Sequence, residues 1–170
     1  MPVCYPQFTL GDYGKDLEEV FLKAAGDSYK SQFPEREFNN YRQGGLEKKV
    51  NIVEESHKRL LSKMAEGSVV GIQFFPTQGF SINADREIMP LLPKSLFLSG
   101  PVDLASAMTA YPDVLARDFN TPGYDCAAVS WRSSVYSLNF WADDDGLRFS
   151  GTGILGRAFG FYSAGLVFLG

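Results

Sequence analysis

The chain has 170 residues, 45% of them hydrophobic and 14% aromatic, with a formal net charge of −4. A chain of this length buries about 70% of its unfolded surface in one core, so neither metal nor disulfide is needed to hold it, and its apolar content excludes a disordered chain. Basic residues run no longer than pairs such as Lys48-Lys49, which argues against a nucleic-acid partner and favours a protein partner of neutral or basic surface.

The opening Met1-Pro2-Val3-Cys4-Tyr5-Pro6 lacks the basic and apolar regions of a cleavable signal. That reading places the protein in the cytoplasm, with Cys4 and Cys126 as free thiols. Asp12 is positioned to cap a helix whose apolar face runs Tyr13, Leu17, Val20, Phe21, Ala24, Ala25 and Tyr29, broken at Phe33-Pro34. Pro34 reads as the first residue of a short helix through Phe38 and Tyr41, closed by Gly44-Gly45. A long helix is expected from Leu46 to about Glu66, with Leu46, Val50, Val53, His57, Leu60, Leu61 and Met64 on one stripe.

After Gly67 the period changes. Val69 to Phe75 and Phe80 to Ile82 read as strands joined around Thr77-Gln78-Gly79. Ser99-Gly100-Pro101 opens a helix through Met108, and Pro112 starts a second short one. From Tyr124 the chain reads as a meander of Tyr124 to Trp131, Ser134 to Trp141, Leu147 to Ser150 and one or two strands in the glycine-rich tail. Asp145-Gly146 is its clearest turn, suited to left-handed angles. In the strand before that turn, Tyr136, Leu138 and Phe140 are expected inside, and Val135, Ser137, Asn139 and Trp141 half exposed.

Residues 1–66 carry ten Lys/Arg and eleven Asp/Glu, against six and nine in 67–170. This asymmetry separates an amphipathic helical part from a sheet-rich part with a short helical insertion near 101–119. The expected fold is a single α+β domain over 1–170, with N-terminal helices packed on one face of a mainly antiparallel β-sheet.

His57 is the only histidine, and its place on an apolar stripe argues against a Ser-His-Asp triad or a histidine-rich zinc site. Gly151-Thr152-Gly153-Ile154-Leu155-Gly156 matches the dinucleotide fingerprint, but only fourteen residues follow and none is acidic. It therefore reads as a turn between strands. Asp143-Asp144-Asp145-Gly146 lacks the closing Glu of a calcium loop, since no Glu follows Glu87. The apolar run from Gly151 to Gly170 holds Arg157 and six glycines, which suits buried strands better than a membrane span. No cofactor or metal is expected.

Trp131, Arg132, Tyr136, Trp141, Asp143, Asp144, Asp145 and Arg148 have the composition of a binding surface, with aromatic and Arg anchors beside acids. The expected function is thus a small binding protein without catalysis that masks a protein partner, as inhibitors, immunity proteins and dedicated chaperones do. Two alternatives are a thiol hydrolase or transferase using Cys126 with His57, and an apolar-ligand pocket between helices and sheet.

Overall fold

The computed structural model describes residues 1–170. Asp12 caps the first helix as its sequence suggests: its carboxylate accepts the Lys15 N–H at 2.8 Å and the Lys48 N–H at 3.0 Å. The helix runs as α1 (Tyr13–Asp16), a π-helical stretch (Leu17–Leu22) and α2 (Lys23–Gln32), burying Tyr13, Leu17, Phe21, Leu22, Ala25 and Tyr29. Before it lies the strand β1 (Pro2–Tyr5).

The expected Tyr124–Trp131 strand divides into β6 (Gly123–Asp125) and β7 (Val129–Trp131) in separate sheets, and three further elements differ from the sequence reading. Residues expected in a helix after Pro34 form β2 (Glu37–Asn40), because the chain finds a parallel partner in the distant β9 (Gly146–Thr152). The expected helix from Leu46 is shortened to α3 (Glu55–Glu66). Lys48 takes a left-handed φ of 56°, which no continuing right-handed helix accommodates, and β3 (Val50–Ile52) then pairs antiparallel with β7 (Val129–Trp131). The Glu54 carboxylate accepts the Ser56 N–H at 3.0 Å and starts α3. The third difference is at Ser81, which caps α4 (Ile82–Ile88) by accepting the Ala84 N–H instead of lying in a strand.

The strand β4 (Val69–Phe74) and the helices α5 (Pro101–Ala110) and α6 (Pro112–Leu115) stand where expected. With β5 (Leu96–Leu98), β6 (Gly123–Asp125), β8 (Ser137–Ala142), β10 (Tyr162–Ala164) and β11 (Leu166–Phe168), the strands form three sheets. Their orders are β1-β4-β11-β5, β10-β6-β8-β9-β2 and β3-β7. Antiparallel pairing dominates; β10 with β6 and β2 with β9 are the parallel pairs. The class is α+β, as expected.

Every residue of α5 from Pro101 to Met108 is buried, including Asp103, which accepts the Gly100 N–H, and Ser106, which donates to the Val102 carbonyl. Around it, one core of 31 buried residues joins the N-terminal helices to both larger sheets. A second cluster of eight, including Ile82, Leu98, Leu155 and Leu166, lies beside α4. On β8, Leu138 and Phe140 face the main core as expected, whereas Tyr136, expected with them, precedes the strand and stays exposed. The opposite face is covered too, leaving Ser137 0% and Asn139 8% exposed. That covered face positions the site described next.

Candidate functional site

The two ends of β8 separate the residues expected to form one binding surface. At its start, Trp131 is buried, its indole N–H donating to the Gly45 carbonyl at 3.1 Å. The guanidinium groups of Arg42 and Arg132 lie 4.6 and 4.4 Å from its ring centroid, at cation–π distance. Tyr136 packs edge-on against the indole at 6.3 Å and stays exposed. Trp131 is thus committed to packing, and Arg42 and Arg132 give this end a positive sign.

At the other end, Arg148 is clamped by Asp143, with both of its nitrogen contacts at 3.2 Å. The Asp143 carboxylate also accepts the N–H groups of Asp145 and Gly146 at 3.0 and 2.8 Å. Asp143 and Arg148 therefore build the turn, while Asp144 and Asp145 project outward. Next to the turn, half-buried Trp141 and exposed Phe119 and Phe161 flank a groove of about 230 Å³. Phe119 was not singled out by sequence reasoning, because a lone Phe before Asn120-Thr121-Pro122 has no periodic signal.

Cys126 and His57 are both 0% exposed, and no hydrogen bond joins them. His57 instead shares one with the Tyr13 hydroxyl, at 2.8 Å from Nε2. Its Nδ1 lies 3.6 Å from the Asp103 carboxylate, yet this is no ion pair near neutral pH. Burial pushes the imidazole down to about 3 and the Asp103 carboxyl up to about 7, so both favour their neutral forms. Asp103 spends one oxygen on the Gly100 N–H at 2.8 Å, at the start of α5. Burial, then the charges of Asp125 and Asp103, push the Cys126 thiol well above its ordinary value. A thiol held neutral is a poor nucleophile. Alkylation of the native protein is expected to modify exposed Cys4 and to leave Cys126 at least about a hundredfold slower, both reacting after denaturation. Mass spectrometry of the labelled protein checks this, and equal native rates would contradict it.

A second concavity, of about 220 Å³, shares the wall formed by Phe161 and Tyr162. Its floor is Ile82 from α4, Asp125 from β6 and Asn139 from β8; Ile154, Arg157 and Phe159 of the loop after β9 complete it. The glycine-rich fingerprint segment is this loop, with no helix following Gly156. Burial, then the charge of Asp85, push the Asp125 carboxyl up to about 7. Asp85 is raised by burial to about 6, and the nearby Thr77 hydroxyl donates to the Ala164 carbonyl at 3.4 Å. Both carboxylate oxygens of Asp85 and the Asn139 Oδ1 are buried without a hydrogen-bond partner. Asp85 and Asp125 lie forty residues apart in the sequence, so no local motif could have paired them. No cluster of three or more His, Cys, Asp or Glu side chains could hold a metal ion, and no helix is long and apolar enough to cross a membrane.

No family model matches the chain, nor does any curated protein or solved structure.

Proposed function

We propose that this is a cytoplasmic binding protein without catalysis that masks a neutral or basic protein partner through the Trp141 end of β8. The observation that carries the reading is the juxtaposition of Phe119 and Phe161, 66% and 64% exposed, with the outward carboxylates of Asp144 and Asp145. Exposed aromatic rings flanking a groove supply the desolvated centre of an interface, and the acids beside them select a positive rim and speed encounter. Nucleic acid would meet the wrong sign of charge here. An inhibitor, immunity or chaperone role fits such a face. The buried, neutral Cys126 and His57 lend no support to thiol catalysis.

The test is capture from native lysate with three tagged baits, each checked for an unchanged melting temperature. The unmodified chain is expected to retain a stoichiometric protein, less of it as salt rises from about 0.05 to 0.3 M. Phe119→Ser combined with Asp144→Lys is expected to lose that protein at least tenfold. Val70→Ser, altering an exposed side chain of the four-stranded sheet, is expected to keep it. Retention by the double variant would overturn the proposal.

A further inference from the structure

The cavity floored by Asp125 and Asn139 has a chemistry of its own, independent of partner docking at the neighbouring groove. Its deep polar groups are the Asp125 carboxyl and the Asn139 amide, the latter with an acceptor oxygen and a donor nitrogen. Asn139 is 8% and Asp125 6% exposed, the Asn139 Oδ1 has no partner, and neither a hydrogen bond nor a cation holds the Asp125 carboxyl down. Asp85, 1% exposed and also unpartnered, adds a second carboxylate behind. The one cationic side chain on the lining, Arg157, stacks over Phe159 at 4.9 Å. The carboxylate oxygens and the amide oxygen at this depth outnumber the single amide nitrogen, so the complementary group is one rich in donors, and a primary ammonium has three donors and no acceptor.

The walls agree with that complement. Phe159, Phe161 and Tyr162 line it with neighbouring centroids 5.3 to 6.3 Å apart, an aromatic surface against which a short apolar stem can pack. A volume of about 220 Å³ lies below the usual range of about 300 to 1,000 Å³ for drug-sized ligands. The guest is accordingly small.

We infer that this cavity is a binding site for a protonated primary amine on a short apolar stem, its ammonium held by Asp125 and Asn139 and its stem against the aromatic wall. The amine is either a free small molecule or a lysine side chain presented by another protein, and the chemistry of capture is the same. Asp125 must be ionised for this contact. The titratable and charged groups around it are Asp85 from α4, Tyr162 from β10, Cys126 at the next position and Arg157 from the loop. Of these, Asp85 opposes its ionisation, so binding is expected to strengthen above neutral pH, where the carboxylate forms without help from the ligand.

The experiment is an NMR titration of the whole chain at pH 8 with benzylammonium, benzyl alcohol as its neutral isostere, acetate, and the peptide acetyl-Gly-Lys-Gly-amide. Benzylammonium is expected to saturate with shifts at residues 125, 139 and 159–162, and to bind at least about tenfold more weakly at pH 5.5. Asp125→Asn is expected to weaken it by at least tenfold while keeping the fold, as shown by unchanged spectra away from the cavity. Matching saturation by the peptide would assign the amine to a protein side chain; saturation by benzylammonium alone would assign it to a small molecule. The inference is overturned if benzyl alcohol or acetate binds as tightly, if Asp125→Asn changes affinity less than twofold, or if neither amine saturates by about 10 mM. Because these readouts need no partner protein, their failure is distinct from failure of the docking proposal.

Discussion

Gly146→Ala is expected to destabilise the protein by about 3 kcal/mol or more, lowering the melting temperature by on the order of 10 °C. A Cβ on Gly146 would stand 2.0 Å from the Glu37 carbonyl oxygen and 2.9 Å from its carbon. The obstacle is backbone in the parallel β2–β9 pair, where Glu37 faces Gly146, so no side-chain rotation relieves it. The Glu37 N–H also donates to the Asp145 carbonyl at 3.2 Å, and the added carbon would force the two chains apart where β2 joins the sheet. This explanation differs from a need for left-handed angles, since Gly146 does not have a positive φ. The two are separable: Asn enters left-handed backbone more readily than most residues with a side chain, yet it carries the same Cβ as Ala. Gly146→Asn is therefore expected to be as damaging as Gly146→Ala in thermal melts. Near-complete tolerance of Asn would show that backbone angle is the constraint and crowding is not.

Acidification from pH 8 to pH 6 is expected to raise the melting temperature by on the order of 5 °C, the reverse of ordinary acid destabilisation. Three buried carboxyls stand above their unfolded range of about 3.9: Asp85 at about 6, and Asp103 and Asp125 at about 7. Each penalises the fold while ionised, so the folded state takes up protons before the unfolded chain does, and the penalty lifts as pH falls through 7. His57 acts in the opposite sense. Its folded value is about 3, so below its unfolded value of about 6.5 the unfolded chain gains a proton that the fold refuses. Between pH 8 and 6.5 the carboxyls dominate, and over the whole interval the net gain is about 2 kcal/mol. Asp103→Asn, which keeps an oxygen for the Gly100 N–H, is expected to melt higher than the parent at pH 8 and to show a flatter profile. A melting temperature that falls from pH 8 to 6, with no change in slope on Asp103→Asn, would refute the assignment.

The elements readable in the sequence were those whose signal is local. Asp12 caps its helix, Pro101 and Pro112 open theirs, and β4 ends before Pro76 because each of these depends on residues a few positions away. The long helix from Leu46 was misread for a physical reason. Leu46 and Val50 are buried at helical spacing, yet that burial comes from a turn and a strand, and the competing partner, β7, lies some eighty residues later. Similarly, the three-residue spacing of Phe38 and Tyr41 imitates a helix in a segment that pairs with β9. His57 was legible as a core residue, since α3 buries it beside Leu60 and Met64. The Asp125 cavity was not legible. It needs α4, β6, β8 and the loop after β9 to converge, and none of those encounters leaves a trace in sequence spacing.

The strands β10 and β11 bear on how the two larger sheets are closed. Residues 162–164 close the edge of the five-stranded sheet, and after Gly165 residues 166–168 slide between β4 and β5 in the four-stranded one. Without residues 166–168, β4 and β5 have no strand to join them, and an open seam runs through their sheet. Closing it requires β11 to find two strands about seventy and ninety residues earlier in the chain, a long-range pairing of the kind that folds slowly and leaves strand edges open to aggregation until it is made.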